Sequence, residues 1–218
     1  MKSERIQAIQ LGYAFGEAYH RATTPECIPT YSQKDLATLL TVPDIAFVMM
    51  NSDQVILWAI HNAVDETRLQ AELAQVRSIR DDAQQRRVLA NVTSVYLLQM
   101  SLIDIDPYTY FERVWRFCSG INITFEMTIR KISHILGWGS YRHALRHIGD
   151  TTQADVQVTI ALYSIMKQEN NLLKALSIVT AIPNNQDRIM RMIGALIVAR
   201  SGIDAIPIGW RQDHLSLI

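Results

Sequence analysis

The sequence predicts an all-α protein, a compact orthogonal helical bundle of about ten helices. Three observations predict it. Apolar residues recur at intervals of three and four along most of the chain, which is the spacing of one helix face. No segment of useful length keeps the period of two that a half-buried strand needs; "DIAFVMM", Asp44 to Met50, is the best strand candidate and is short. Residues able to cap a helix stand repeatedly just ahead of apolar stretches. The chain has 218 residues, enough for one domain with a sizeable core. No linker or low-complexity stretch divides it, so residues 1–218 form a single domain.

The elements follow in order. Ile6, Ile9, Tyr13 and Ala14 form the stripe of a first helix, with Ser3 as its cap. Two prolines make Thr23 to Thr30 a loop. Ser32 and Asp35 form a capping-box-like pair before "LATLL", and Pro43 ends that short helix. A third helix starts near Asn51 to Asp53 and turns Ile56, Ile60, Ala63 and Val64 inward. Leu69, Leu73, Val76 and Ile79 are the stripe of a fourth. "DDAQQRRVLANVTSVYLLQM" is a fifth, with its acids at the end where the helix dipole favours them. Asp106 and Pro107 are a cap and a first-position proline for "YTYFERVWRFC". Further helices cover Thr124 to Leu136, Ser140 to Ile148, Thr152 to Lys167, Asn171 to Ala181 and Gln186 to Arg200.

Composition narrows the function. Apolar residues are 49% and charged residues 19% of the chain, so a folded core is expected rather than disorder. With 21 basic and 21 acidic side chains the formal net charge is zero, and no global field draws nucleic acid or an anionic membrane. Cys27 and Cys118 are too few for a disulfide framework and read as core thiols. "MKSERIQAIQ" lacks a signal-peptide core, and every apolar run is broken before membrane-spanning length. A cytoplasmic protein with no membrane partner is expected. There is no phosphate-binding glycine loop, no dinucleotide fingerprint and no cysteine pair with zinc spacing. His143 and His147 share a helix face without a third ligand. Arg130, Lys131, His134, Arg142 and Arg146 surround them, a solvated basic face that is also a candidate nucleic-acid patch.

Three segments carry a resemblance: "RIQAIQLGYAFGEAYHRA" (Arg5 to Ala22), "NSDQVILWAIHNAV" (Asn51 to Val64) and the stretch from Asp150 to Trp210. Together they resemble the ADP-ribosylglycohydrolase family, which includes the dinitrogenase-reductase-activating glycohydrolase and the ADP-ribosyl-acceptor hydrolases. Gly16-Glu17-Ala18 stands where that family has Gly-Asp-Ala in its opening helix. Asn51-Ser52-Asp53-Gln54 stands where it has Thr-Asp-Asp-Thr at the head of an apolar helix. Asn185-Gln186-Asp187-Arg188 stands where it has Asp-x-Asp-Thr, followed at the right intervals by Gly194-Ala195-Leu196, Gly202, Ile206-Pro207 and Trp210. The family's Gly-Asn-Gly…Met-Arg substrate segment has no counterpart between Asp65 and Gly149.

The resemblance implies an ADP-ribosylglycohydrolase-like fold and, in an active member, two Mg²⁺ ions held between the two acidic loops. Such ions need several carboxylate oxygens, and they orient ribose hydroxyls and activate a water. Here only Asp53 and Asp187 match the acids, Asn185 replaces a third, and Arg188 replaces a threonine ligand. The expectation is therefore no metal, with Arg188 filling the vacated space and pairing with Asp53; the plainer alternative has Asp187 capping its helix and Arg188 facing solvent. Glu17, Asn51, Ser52, Asn185 and Arg188 are the ligand-cleft candidates. The implied function is a catalytically degenerate relative that binds a protein partner, such as a bacterial defence complex that it inhibits, or an ADP-ribose-like nucleotide. Two alternatives stand beside it. One is an active Mg-dependent hydrolase working through Asp53 and Asp187. The other is a helical nucleic-acid binder using Arg130, Lys131, Arg142 and Arg146.

Overall fold

Among the described residues of a computed structural model, twelve α-helices and two short 3₁₀ turns follow one another and no strand occurs. Those residues are 3–22, 28–41, 47–51, 53–62, 66–103, 106–168 and 171–214. The helices are α1 (Ser3–Arg21), α2 (Gln33–Leu39), α3 (Gln54–His61), α4 (Glu66–Ser78), α5 (Asp82–Ser101) and α6 (Pro107–Cys118). They continue as α7 (Ile123–Ile135), α8 (Tyr141–Ile148), α9 (Ala154–Gln168), α10 (Leu172–Val179), α11 (Gln186–Ser201) and α12 (Ile208–His214).

Local chemistry sets most of the starts. Ser32 caps α2 by accepting from the Asp35 N–H, and its hydroxyl donates to the Asp35 carboxylate at 2.6 Å. Asp81 caps α5, Asn122 caps α7, Ser140 caps α8 and Asn171 caps α10, each through its side-chain oxygen. Asp106 accepts from two N–H groups of α6, with Pro107 in the first turn. Gly202 ends α11 with φ +80°, a conformation that disfavours any Cβ.

The core is built on four helices rather than on one-sided surface helices. Residues 11–19 of α1, 155–166 of α9 and almost all of 88–98 in α5 and 189–199 in α11 are buried. α11 packs on α1, α5, α9 and α10, and α9 also packs on α5 and α7. The closest of these contacts is between α1 and α11. A Cβ on Gly12 would lie 2.4 Å from the Gly194 carbonyl oxygen, one on Gly194 2.0 Å from the Gly12 oxygen, and one on Gly16 2.1 Å from the Met190 oxygen. The two backbones therefore touch along a seam that only glycine permits. α12 closes the far end of α1. Trp210 donates from Nε1 to the Pro29 carbonyl at 2.9 Å, meets Phe15 edge-on at 5.2 Å and stacks on His214.

The structure departs from expectation in a few places. Phe47–Met49 is a 3₁₀ turn and not a strand, while Asp44 to Ala46 lie outside the described residues. The reason is a side chain. Asn91 of α5 donates to the carbonyls of Phe47 and Met50 at 3.1 and 3.0 Å, so no neighbouring strand receives them. Ser3 is the first residue of α1 itself. α12 is additional to the expected helices, the last of which ends at Arg200. Cys27, Pro43, Ala63 and Val64 lie outside the described residues.

Gly12→Ala and Gly194→Ala should each destabilise the fold by roughly 3 kcal/mol or more, because backbone and not a flexible side chain meets the added methyl. Gly209→Ala, whose Cβ would have nothing within 4 Å, should cost nothing and add up to about 1 kcal/mol. Urea unfolding of the three variants checks both.

Candidate functional site

The glycine seam decides where charge goes. On α1, Tyr13 and Glu17 are four apart, each next to a seam glycine; on α11, Asp187 and Arg191 are likewise one turn apart. α3 begins beside them and presents Asp53. Three segments distant in sequence thus bring three carboxylates to one guanidinium. Arg191 donates from Nε to Glu17 at 2.7 Å, from Nη1 to Asp53 at 3.0 Å and from Nη2 to Asp187 at 3.1 Å. The other Glu17 oxygen takes Arg21, with Nη2 at 2.7 Å and Nε at 2.8 Å. Tyr13 donates its hydroxyl to Asp53 at 3.1 Å, and its ring lies 5.8 Å from the Arg191 guanidinium carbon.

Burial makes these contacts matter. The side chains of Asp53 and Glu17 are 1% and 4% exposed and Arg191 is 19% exposed, while Asp187 at 33% is the side open to solvent. Exposed ion pairs contribute little, but a buried carboxylate without a cation is costly. Two guanidiniums face three carboxylates. Asp53 bears the strain of that imbalance: its Oδ1 is buried with no hydrogen-bond partner among the described residues. Burial pushes the Asp53 carboxyl above the usual carboxylate range, and Arg191, Tyr13 and the more distant Arg188 offset this only in part. The Tyr13 phenol is likewise held high, by burial first and then by the Asp53 charge.

The expected residues divide. Glu17, Asp53 and Asp187 come together. The cation that pairs with them is Arg191 and not Arg188. In a helix, residues four apart share a face, whereas Arg188 is turned away from Asp187 by roughly 100°. Arg188 instead lines a neighbouring pocket with Asn51. Asp187 is not a cap, since α11 has no side-chain cap bond and its N-cap is Asn185 in the left-handed conformation, φ +56°. Asn185 donates its amide to the Thr151 carbonyl at 3.0 Å, tying this loop to the one before α9. The Asn51 N–H is taken by the Gln54 side chain at 3.0 Å. Ser52 lies outside the described residues.

The basic patch is less uniform than the sequence suggests. Arg130 pairs with Glu126 at 3.0 Å and lies over the Trp115 ring at 4.7 Å. Lys131 donates to the Ile148 carbonyl at 2.6 Å. Arg142 and Arg146 are exposed and line a separate cleft of about 580 Å³ against Thr180 to Asn184. Cys118 is fully buried, bonded to the Val114 carbonyl, and its thiol is pushed up to about 12 by burial.

The residues do not fit a divalent ion. Each of the three carboxylates already receives an Arg191 N–H, and a fixed guanidinium in their midst repels a second cation. No family model matches the chain, and no curated protein matches it. Arg191 itself went unrecognised in the sequence, although a signal was present. It interrupts the apolar run Ile189, Met190, Met192 and Ile193 one turn after Asp187, where the pattern alone calls for an apolar residue.

Arg191→Met should lower stability by about 3–5 kcal/mol, since it leaves buried carboxylates unpaired, whereas Arg188→Met should cost less than about 1 kcal/mol. Equilibrium urea titrations at neutral pH compare them. Iodoacetamide should leave the Cys118 peptide unmodified in the native protein at pH 8 and alkylate it once urea unfolds the chain, as read by peptide mass.

Proposed function

We propose that this protein is a catalytically degenerate relative of the ADP-ribosylglycohydrolases, and that it acts by binding rather than by hydrolysis. One observation carries the reading: Arg191 stands among Glu17, Asp53 and Asp187, the acids that the resemblance assigns to the opening helix and the two metal loops. A two-metal hydrolase needs those carboxylates free to coordinate, with open positions for water and ribose. A guanidinium bonded to all three supplies charge balance and shape but neither a Lewis acid nor an activated water. Asn185 in place of an acid, with its amide bonded to Thr151, supports the same conclusion.

What such a cleft binds follows from its size. The pocket beside the acids has about 170 Å³, below the roughly 300–1,000 Å³ of sites that enclose a whole small molecule. A complete ADP-ribose is too large for it. A protein partner covering the cleft, of the kind an inhibitor of a bacterial defence complex would engage, is the better occupant, with an ADP-ribose-like nucleotide as the second.

Incubation with a mono-ADP-ribosylated protein and millimolar Mg²⁺ should release no ADP-ribose above the protein-free control. Release that disappears in Asp187→Ala would establish the hydrolase instead. Mg²⁺ should leave the melting temperature unchanged, since no site binds it preferentially in the folded state.

A further inference from the structure

A pocket adjoins the three-acid cluster but uses different side chains. α5 contributes Arg86 and Arg87, and the first turn of α11 contributes Arg188. Asn51, Asn91 and Gln157 supply neutral polar groups, and the first turn of α9 completes the wall. We propose that this pocket binds a phosphomonoester group as its dianion, gripped by Arg86, Arg87 and Arg188.

Charge is the first support. Three guanidiniums line the pocket against one carboxylate, Asp155, so the lining residues themselves carry a formal net charge of +2 (3 − 1), with Asp82 behind Arg86. Asp155 is itself engaged, accepting from the Thr128 hydroxyl at 3.1 Å and lying 3.9 Å from Arg86. Arg86 also pairs with Asp82 at 3.0 Å. Arg87 and Arg188 pair with no carboxylate among the described residues. The contact of Arg87 is the neutral Met49 thioether at 3.7 Å, and its buried Nε has no hydrogen-bond partner among the described residues. Half-buried guanidiniums gathered in this way repel one another unless an anion lies between them.

Shape is the second support. A volume of about 170 Å³ suits a charged group with its ester link, not an enclosed nucleotide. A phosphomonoester presents three outer oxygens and about two charges, which matches three forked donors; a carboxylate has two oxygens and one charge. The helix dipole of α9, a helix of 15 residues, adds positive potential at the wall. A diester-like phosphate inside a dinucleotide carries one charge and is flanked on both sides, so the terminal phosphate of a sugar phosphate or nucleoside monophosphate is the favoured class.

The inference extends the binding reading above and rests on it only in treating the cleft as a binding site. The test is calorimetric titration at fixed ionic strength with inorganic phosphate, AMP and adenosine. Phosphate and AMP should bind saturably and adenosine should not. Arg87→Gln/Arg188→Gln should weaken AMP at least about 100-fold, roughly tenfold for each charge-assisted contact, while Arg142→Gln/Arg146→Gln should leave it unchanged. Should the double variant fail to fold, Arg188→Gln alone carries the test, with an expected loss of about tenfold. Absence of saturable binding, binding unaltered in the variants, or binding lost with Arg142 and Arg146 would overturn the proposal. ADP-ribose release in the hydrolase assay would overturn the binding reading and leave the pocket standing.

Discussion

The contact between the backbones of α1 and α11 is the constraint on which the rest of this structure depends. Helices usually pack about 8–10 Å apart, at a distance set by their side chains. Here Gly12, Gly16 and Gly194 remove those side chains, and carbonyl oxygens lie where a methyl would be. The approach has two consequences. It buries the middle of both helices on all sides, so that α5, α9 and α10 pack around them. It also brings Glu17 of α1 within hydrogen-bonding distance of Arg191 of α11. A longer crossing distance would separate the two, and the carboxylates would lose their shared cation.

That cation explains how acidic side chains can be buried together here. Glu17 and Asp53 are buried, and a buried carboxylate left without a partner is costly. Three donor nitrogens of Arg191 satisfy three segments at once, which ties the opening helix, the start of α3 and the start of α11 into one rigid unit. The cluster therefore acts as a joint. Its price is an Asp53 oxygen left without a hydrogen-bond partner among the described residues, and burial that raises the Asp53 carboxyl. The joint also leaves Arg188 uncommitted one residue along, next to Arg86 and Arg87, so the neighbouring pocket is cationic while the cluster itself is close to balance.

Polar side chains in the core hold the segments that have no regular structure. Asn91 binds two carbonyls of the turn ahead of Asp53, and Asn185 binds the Thr151 carbonyl ahead of α9. The first contact fixes the turn ahead of Asp53 from α5, and the second ties the loop ahead of α11 to the one ahead of α9. The Tyr31 N–H donates to Nε2 of the buried His214, and Trp210 reaches Pro29. The Gly, Ile-Pro and Trp residues near the end of the described chain thus belong to packing and not to the site.

The sequence by itself determined the helical class and most helix starts, because period, caps and prolines act within a few residues of one another. Ser32 and Asp106 are legible for that reason. It also pointed to Glu17, Asp53 and Asp187 as members of one site, through motif order. It did not determine the partner. A linear reading puts Arg188 there, and only the direction in which α11 faces α1 and α3 selects Arg191. Asp44 to Met50 shows the same limit: its apolar run suits a strand, yet an asparagine some 40 residues away takes its carbonyls. The gathering of Arg86, Arg87 and Arg188 was likewise settled by tertiary structure, since α5 and α11 meet only once the glycine seam has placed α11 in the core. Charges become a site through distance in space, which spacing along a chain does not specify.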